Sequence, residues 1–99
     1  MKVRIQSSQF TVAEHLSEFI EKKMQKLEQF FDRIIDAEVY LSLDGNNRVV
    51  RDKTVKVKVN LPGNQVVAIE TDKLFEPAID AAVESIRRQI KRYKGRIRP

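Results

Sequence analysis

The 99-residue chain contains no cysteine, so disulfide frameworks and thiolate chemistry are excluded, as suits a reducing compartment. It has one histidine, His15. A zinc site would then need carboxylates at most positions, an uncommon donor set, and His15 is read as a solvent-facing helix residue. The three glycines, Gly45, Gly63 and Gly95, lie far apart, so no glycine-rich loop can cradle a phosphate. Ser7-Ser8 has no G-x-S-x-G context. Asp32 and Asp36 stand four apart with no nucleophile or oxyanion donor beside them, and are read as turn residues. No enzyme activity, cofactor, metal or small-molecule substrate is expected. No apolar run approaches the ~18 residues of a membrane span. The N-terminal "MKVRIQSSQF" lacks the apolar segment of a signal peptide, so a cytoplasmic protein is expected.

What the chain has in quantity is charge. Charged residues make up 33% and hydrophobic residues 41%, the balance of a soluble globular domain rather than a disordered one. The length suits one domain with a two-layer core and no deep internal cleft. The net charge is +5, and its distribution is uneven. After Ile86 come Arg87, Arg88, Lys91, Arg92, Lys94, Arg96 and Arg98 with no acid, while the rest holds 12 basic and 14 acidic residues. Cations near a helix C-terminus complement its dipole, but that effect fades within the last turn. Seven exceed what it requires, and a polyanionic partner is implied.

Hydrophobic periodicity places the elements. "KVRIQS" alternates, with Val3 and Ile5 on one face, and predicts a strand. Thr11 and Glu14 have capping-box spacing and predict a helix start. Leu16, Ile20, Leu27 and Phe31 continue that helix at helical spacing, with Val12, Phe19, Met24 and Phe30 widening the stripe, to an end between Phe30 and Arg33. "AEVYLSL" is a second strand, "DGNNR" a turn, and "TVKVKVN" a third strand with Val55, Val57 and Val59 inward. "LPGN" is a second turn, and "QVVAIET" a fourth strand whose expected inward pair is Val67 and Ile69. Asp72 is the expected N-cap of a second helix that admits Pro77 only in its first turn. Phe75, Ile79, Ala82, Val83, Ile86, Ile90 and Tyr93 form its core stripe, and Gly95 is the expected stop. The order β-α-β-β-β-α is that of an α+β protein, a four-stranded sheet with two helices packed on one face. Residues 1–95 would form the domain and 96–99 a short basic tail.

At 100° per residue, Arg87, Lys91 and Lys94 form one row on the second helix, with Arg88 and Arg92 in a neighbouring row. Lys22, Lys23 and Lys26 add cations from the first helix, and Lys2, Arg4, Lys56 and Lys58 from outward strand positions. Solvated surface alone accounts for Lys56 and Lys58 about as well as a ligand does. It does not account for the second helix, since a merely solvated face mixes signs. The G-x-x-G of a KH domain and the strand aromatics of an RRM are missing, so the expected mode is recognition of phosphate and shape by cations on a rigid helix. The topology is also that of a double-stranded RNA-binding domain, by fold analogy. A membrane-surface role would need large apolar residues free to insert, whereas Ile79, Val83, Ile86 and Ile90 are committed to the core.

Two stretches carry a family resemblance. "KLEQFFDRI" (residues 26–34) and "DKLFEPAIDAAVESIRRQIKRYK" (residues 72–94), with Asp72, Phe75, Ala78, Ile79, Asp80, Arg88 and Gln89 at the matching positions, resemble bacterial ribosome hibernation-promoting factor, the family also known as ribosome-associated inhibitor or sigma-54 modulation protein. The resemblance implies the same β-α-β-β-β-α fold. It also implies binding to ribosomal RNA of the small ribosomal subunit, in the channel of messenger RNA and transfer RNA, and translation inhibition by steric occlusion in stationary phase or stress. By position the family's helix cations fall on Lys23, Lys26, Arg88, Arg92 and Lys94, extended by Arg87 and Lys91. Long-form members carry a C-terminal ribosome-pairing domain and the inhibitor branch an acidic tail. A chain stopping at Pro99 after Lys94, Arg96 and Arg98 fits the short hibernation branch best, with a piece of a long form as the alternative; a separate ribosome-pairing factor is a further candidate partner. A generic double-stranded RNA-binding module is the alternative. About six neutralised phosphates would give a log–log salt slope of roughly −4 to −5.

Overall fold

The computed structural model describes residues 1–44 and 52–97. The elements are β1 (Lys2–Ser7), α1 (Glu14–Phe30), β2 (Asp36–Asp44), β3 (Asp52–Leu61), β4 (Asn64–Asp72) and α2 (Phe75–Ile97). They form one four-stranded mixed sheet in the order β1-β2-β3-β4, in an α+β architecture with the element order expected from the sequence. β1 runs parallel to β2, which requires a crossover between them, and α1 supplies it. β2, β3 and β4 follow as antiparallel neighbours. The predicted "DGNNR" turn falls on residues that lie, apart from Asp44, outside the described ones.

The period-2 alternation of the strands sends one set of side chains under the helices. Val39 and Leu41 from β2 meet Val55, Val57 and Val59 from β3, all fully buried. α1 contributes Leu16, Ile20, Met24 and Leu27, and α2 contributes Ile79, Ala82, Ile86 and Ile90, at the spacing of one helical face. α2 lies across β3 and β4 and packs beside α1, which reaches β1. No charged or polar residue is buried among the described residues.

Five local expectations change. The inward pair of β4 is Val66 and Ala68, while Ile69 is 59% exposed. Register decides this: Leu61 pairs with Asn64 across a Pro62-Gly63 turn, so Val59 faces Val66 and Val57 faces Ala68. Gly63 has φ +71, the left-handed conformation that the second central residue of such a turn needs. The run Val66-Val67-Ala68-Ile69 shows no alternation, and residue size alone points to the wrong pair. The Thr11–Glu14 capping box does not form. Ala13 is the N-cap, with no side-chain bond, and its carbonyl accepts from the Leu16 and Ser17 amides at 3.0 Å. Asp72 ends β4 instead of capping α2 directly, and its Oδ1 accepts from the amides of Lys73 (2.6 Å) and Leu74 (3.3 Å) in the turn before Phe75. Gly95 does not stop α2, which continues through it to Ile97, so Arg96 is helical. Asp36, read as a turn residue, begins β2 and accepts a hydrogen bond from Asn60 Nδ2.

Candidate nucleic-acid interface

α1 and α2 lie side by side on the sheet, and the seam between them is where the cations converge. Phe19, Lys23, Lys26 and Phe30 are spaced by three and four residues, so they share the flank of α1 beside its core stripe. On α2 the corresponding flank carries Asp80, Glu84, Arg87, Lys91 and Lys94. Together they line an open groove in two sections. One, of about 620 Å³, is bounded by Lys23, Lys26, Phe30, Asp80, Glu84 and Arg87. The other, of about 640 Å³, shares Phe30, Glu84 and Arg87 and adds Arg88, Lys91, Lys94 and Gly95.

Aromatic rings hold several of these cations in place. The Arg87 guanidinium carbon and Lys94 Nζ each lie 4.8 Å from the centre of the Phe30 ring, within cation–π range. Lys94 Nζ is also 5.9 Å from the Phe31 ring centre, and Lys23 Nζ is 5.2 Å from that of Phe19. Phe31 packs edge-on against Tyr93, whose hydroxyl donates to the Pro62 carbonyl at 2.7 Å, so the ring beneath the cations is tied to the core. Lys23 Nζ and Asp80 Oδ1 form an ion pair at 2.8 Å, which joins the helices but takes Lys23 partly out of service as a free cation. Among the described residues no ion pair engages Lys26, Arg87, Arg88, Lys91 or Lys94.

The groove thus gathers Lys23, Lys26, Arg87, Arg88, Lys91 and Lys94 from the residues singled out in the sequence. Lys22 and Arg92 are exposed on the same helices but do not line it. Arg92 lies about 140° around the helix from Arg87, which accounts for its separation. Arg4, Lys56 and Lys58 are on the opposite face of the sheet, where Arg4 Nη2 is 3.4 Å from Glu38 Oε1. Sequence reasoning missed three participants. Phe30 was assigned to the core stripe, yet it is only half-buried and floors the groove. Glu84 and Asp80 bring negative charge into it; their helical spacing from Arg87 was the available signal. Gln89, part of the matching motif, turns to the other flank, where its Nε2 donates to the Val67 carbonyl of edge strand β4 at 2.9 Å. Among the described residues there is no cluster of three or more His, Asp or Glu side chains placed to hold a metal, and no helix is long and apolar enough to cross a membrane.

Solved structures of similar proteins share this arrangement of elements. The chain is 33% identical over 85 residues to a ribosome hibernation promotion factor of Deinococcus radiodurans, covering 86% of this chain and 44% of the relative. It is 30% identical over 100 residues to that of Bacillus subtilis, covering 98% of this chain and 50% of the relative. The chain therefore spans about half the length of these two relatives, whereas it spans 98% of the ribosome hibernation promoting factor of Escherichia coli at 29% identity. Among solved structures, the N-terminal domain of Thermus thermophilus Protein Y superposes with a TM-score of 0.81 at 29% identity, covering 94% of this chain and 99% of that one. A ribosomal subunit interface protein of Coxiella burnetii superposes at 0.83 with 21% identity, a likeness of fold, covering 96% and 99% of the two chains. The family model described as Sigma 54 modulation protein / S30EA ribosomal protein matches residues 3–98, and the chain belongs to that family.

Proposed function

We propose that this protein is a cytoplasmic, non-enzymatic ribosome hibernation factor that binds the small ribosomal subunit and inhibits translation in stationary phase or stress. It would lie in the channel of messenger RNA and transfer RNA and act by steric occlusion, its α1–α2 groove against ribosomal RNA. The observation that carries this is the groove itself. Lys26, Arg87, Arg88, Lys91 and Lys94 converge on one seam, none in an ion pair with a described residue. Cations set on two packed helices can meet a phosphate surface without first being ordered, which is what shape-dependent backbone recognition needs. The relatives are named as ribosome hibernation factors, which supports the ribosome as the partner of such a surface.

Sedimentation with purified small subunits tests the proposal. The wild-type protein should co-sediment, block transfer RNA binding, and resist competition by plain duplex RNA. The Arg88→Glu/Lys91→Glu variant, which alters two exposed helix residues, should stay folded and remain at the top of the gradient. Co-sedimentation of that variant would remove the groove as the binding surface. Equal competition by duplex RNA would identify a generic double-stranded RNA-binding module instead.

A further inference from the structure

The open face of the sheet, remote from both helices, carries a second arrangement suited to RNA. Its register sets Gln6, Tyr40, Lys56 and Ile69 in one row across the four strands, with Arg4, Glu38, Lys58 and Val67 in the next. Tyr40 is 42% exposed and Ile69 59%. Glu38, Tyr40, Lys56 and Lys58 line a shallow depression of about 250 Å³.

Tyr40 differs from every other aromatic residue in the chain. The five phenylalanines and Tyr93 each have a neighbouring ring or cation: Phe10 stacks on Phe75, Phe31 meets Tyr93, and lysine or arginine covers Phe19 and Phe30. Among the described residues Tyr40 has neither. Lys56 is its direct cross-strand partner and Lys58 its diagonal neighbour, distances that long side chains span. Neither lysine forms an ion pair with a described residue, while the acid in the depression, Glu38, is met by Arg4. A bare ring flanked by two unpaired lysines has the parts of a single-stranded nucleic-acid platform, one ring for a base and cations for the adjoining phosphates. A second copy of this chain is a poorer occupant, because a twofold contact would set these lysines against each other.

We infer that Tyr40, with Lys56 and Lys58, forms a second RNA-contacting site that stacks one unpaired base on the open sheet face. The site deepens the ribosomal reading of the protein, since it would let one molecule hold RNA on two opposite surfaces. It is separate from the groove, so the two can be tested apart. The probe is an eight-nucleotide oligouridylate, titrated into ¹⁵N-labelled protein at low salt and followed by amide shifts. The signals of residues 38–40, 56–58 and 67–69 should move, and should still move in Arg88→Glu/Lys91→Glu. Tyr40→Phe should bind as wild type. Tyr40→Ala should weaken sheet-face binding by about 5- to 150-fold, the range for loss of one base–aromatic stack. Shifts confined to α1 and α2, or equal affinity in Tyr40→Ala, would overturn the site while leaving the groove intact. Loss of small-subunit binding in Arg88→Glu/Lys91→Glu together with retained sheet shifts would support it independently. If the sheet shifts persist while that variant still sediments with the subunit, the groove assignment fails and the Tyr40 site stands.

Discussion

Replacing groove cations one at a time should change the salt dependence of ribosome binding by an amount the geometry sets. Six cations line the seam, but Lys23 is held by Asp80 at 2.8 Å, which leaves Lys26, Arg87, Arg88, Lys91 and Lys94 free to displace counterions. Each neutralised phosphate adds about −0.9 to the log–log slope on a duplex and −0.7 on a single strand. Five give a slope of roughly −3.5 to −4.5, so affinity should fall about 130- to 500-fold between 50 and 200 mM salt. The structure thus lowers the count drawn from sequence by one.

The assay is equilibrium binding of fluorescently labelled protein to small subunits across a potassium chloride series. Arg88→Gln and Lys91→Gln should each flatten the slope by about 0.7 to 0.9. Lys23→Gln should flatten it less, because its charge is already shared with Asp80. Asp80→Asn should do the reverse, freeing Lys23 and steepening the slope. A wild-type slope shallower than about −2 would refute the phosphate-neutralisation reasoning. So would an equal effect of Lys23→Gln and Arg88→Gln.

Three further outcomes test the fold around the groove. Ile86→Ala, at a fully buried position next to Arg87 in the sequence, should cost about 2–5 kcal/mol in urea unfolding, a large part of the stability of a small domain. Gln89→Ala should cost about 0.5–1.5 kcal/mol through its bond to the Val67 carbonyl and leave small-subunit affinity unchanged, which separates this motif residue from ligand contact. Gly95→Ala should stabilise by about 0.5 kcal/mol, since Gly95 is helical and an added Cβ meets nothing within 4 Å. Destabilisation there would mean that α2 ends at Gly95 after all.

The elements that alternate or repeat cleanly were legible in the sequence. Val55, Val57 and Val59 are inward as their spacing predicts, and Leu16, Ile20 and Leu27 mark one buried stripe. Where the pattern is not periodic, tertiary constraints decided. The four apolar residues Val66–Ile69 offer two registers, and only the Pro62-Gly63 turn, by pairing Leu61 with Asn64, selects between them. Thr11 and Glu14 have the spacing of a capping box, but Gln9 takes a φ of +70 and the chain enters the helix two residues later than the box requires. Gly95 has the identity of a helix stop without the left-handed φ that makes one. The helical rows grouped Arg92 with Arg88, whereas of the two only Arg88 lines the groove. What no periodicity could supply is which flank of α1 meets which flank of α2, and hence that Phe30 would lie under both Arg87 and Lys94.

That juxtaposition links stability to the proposed binding. The flank of α2 facing α1 begins with Glu76, Asp80 and Glu84 and ends with Arg87, Lys91 and Lys94. Acids near the N-terminus and bases near the C-terminus both favour the helix through its dipole. The same grading splits the groove into a section where Asp80 and Glu84 offset Lys23 and Lys26, and one where Arg87, Arg88, Lys91 and Lys94 face a single acid, Glu84. A polyanion therefore meets its stronger attraction at the C-terminal section. The Phe30 ring sits at the boundary and holds Arg87 and Lys94 at 4.8 Å, so two of the cations proposed to attract RNA are oriented in its absence. Charge order along α2 would in this way set the direction in which RNA lies across the groove, and not merely the strength with which it is held.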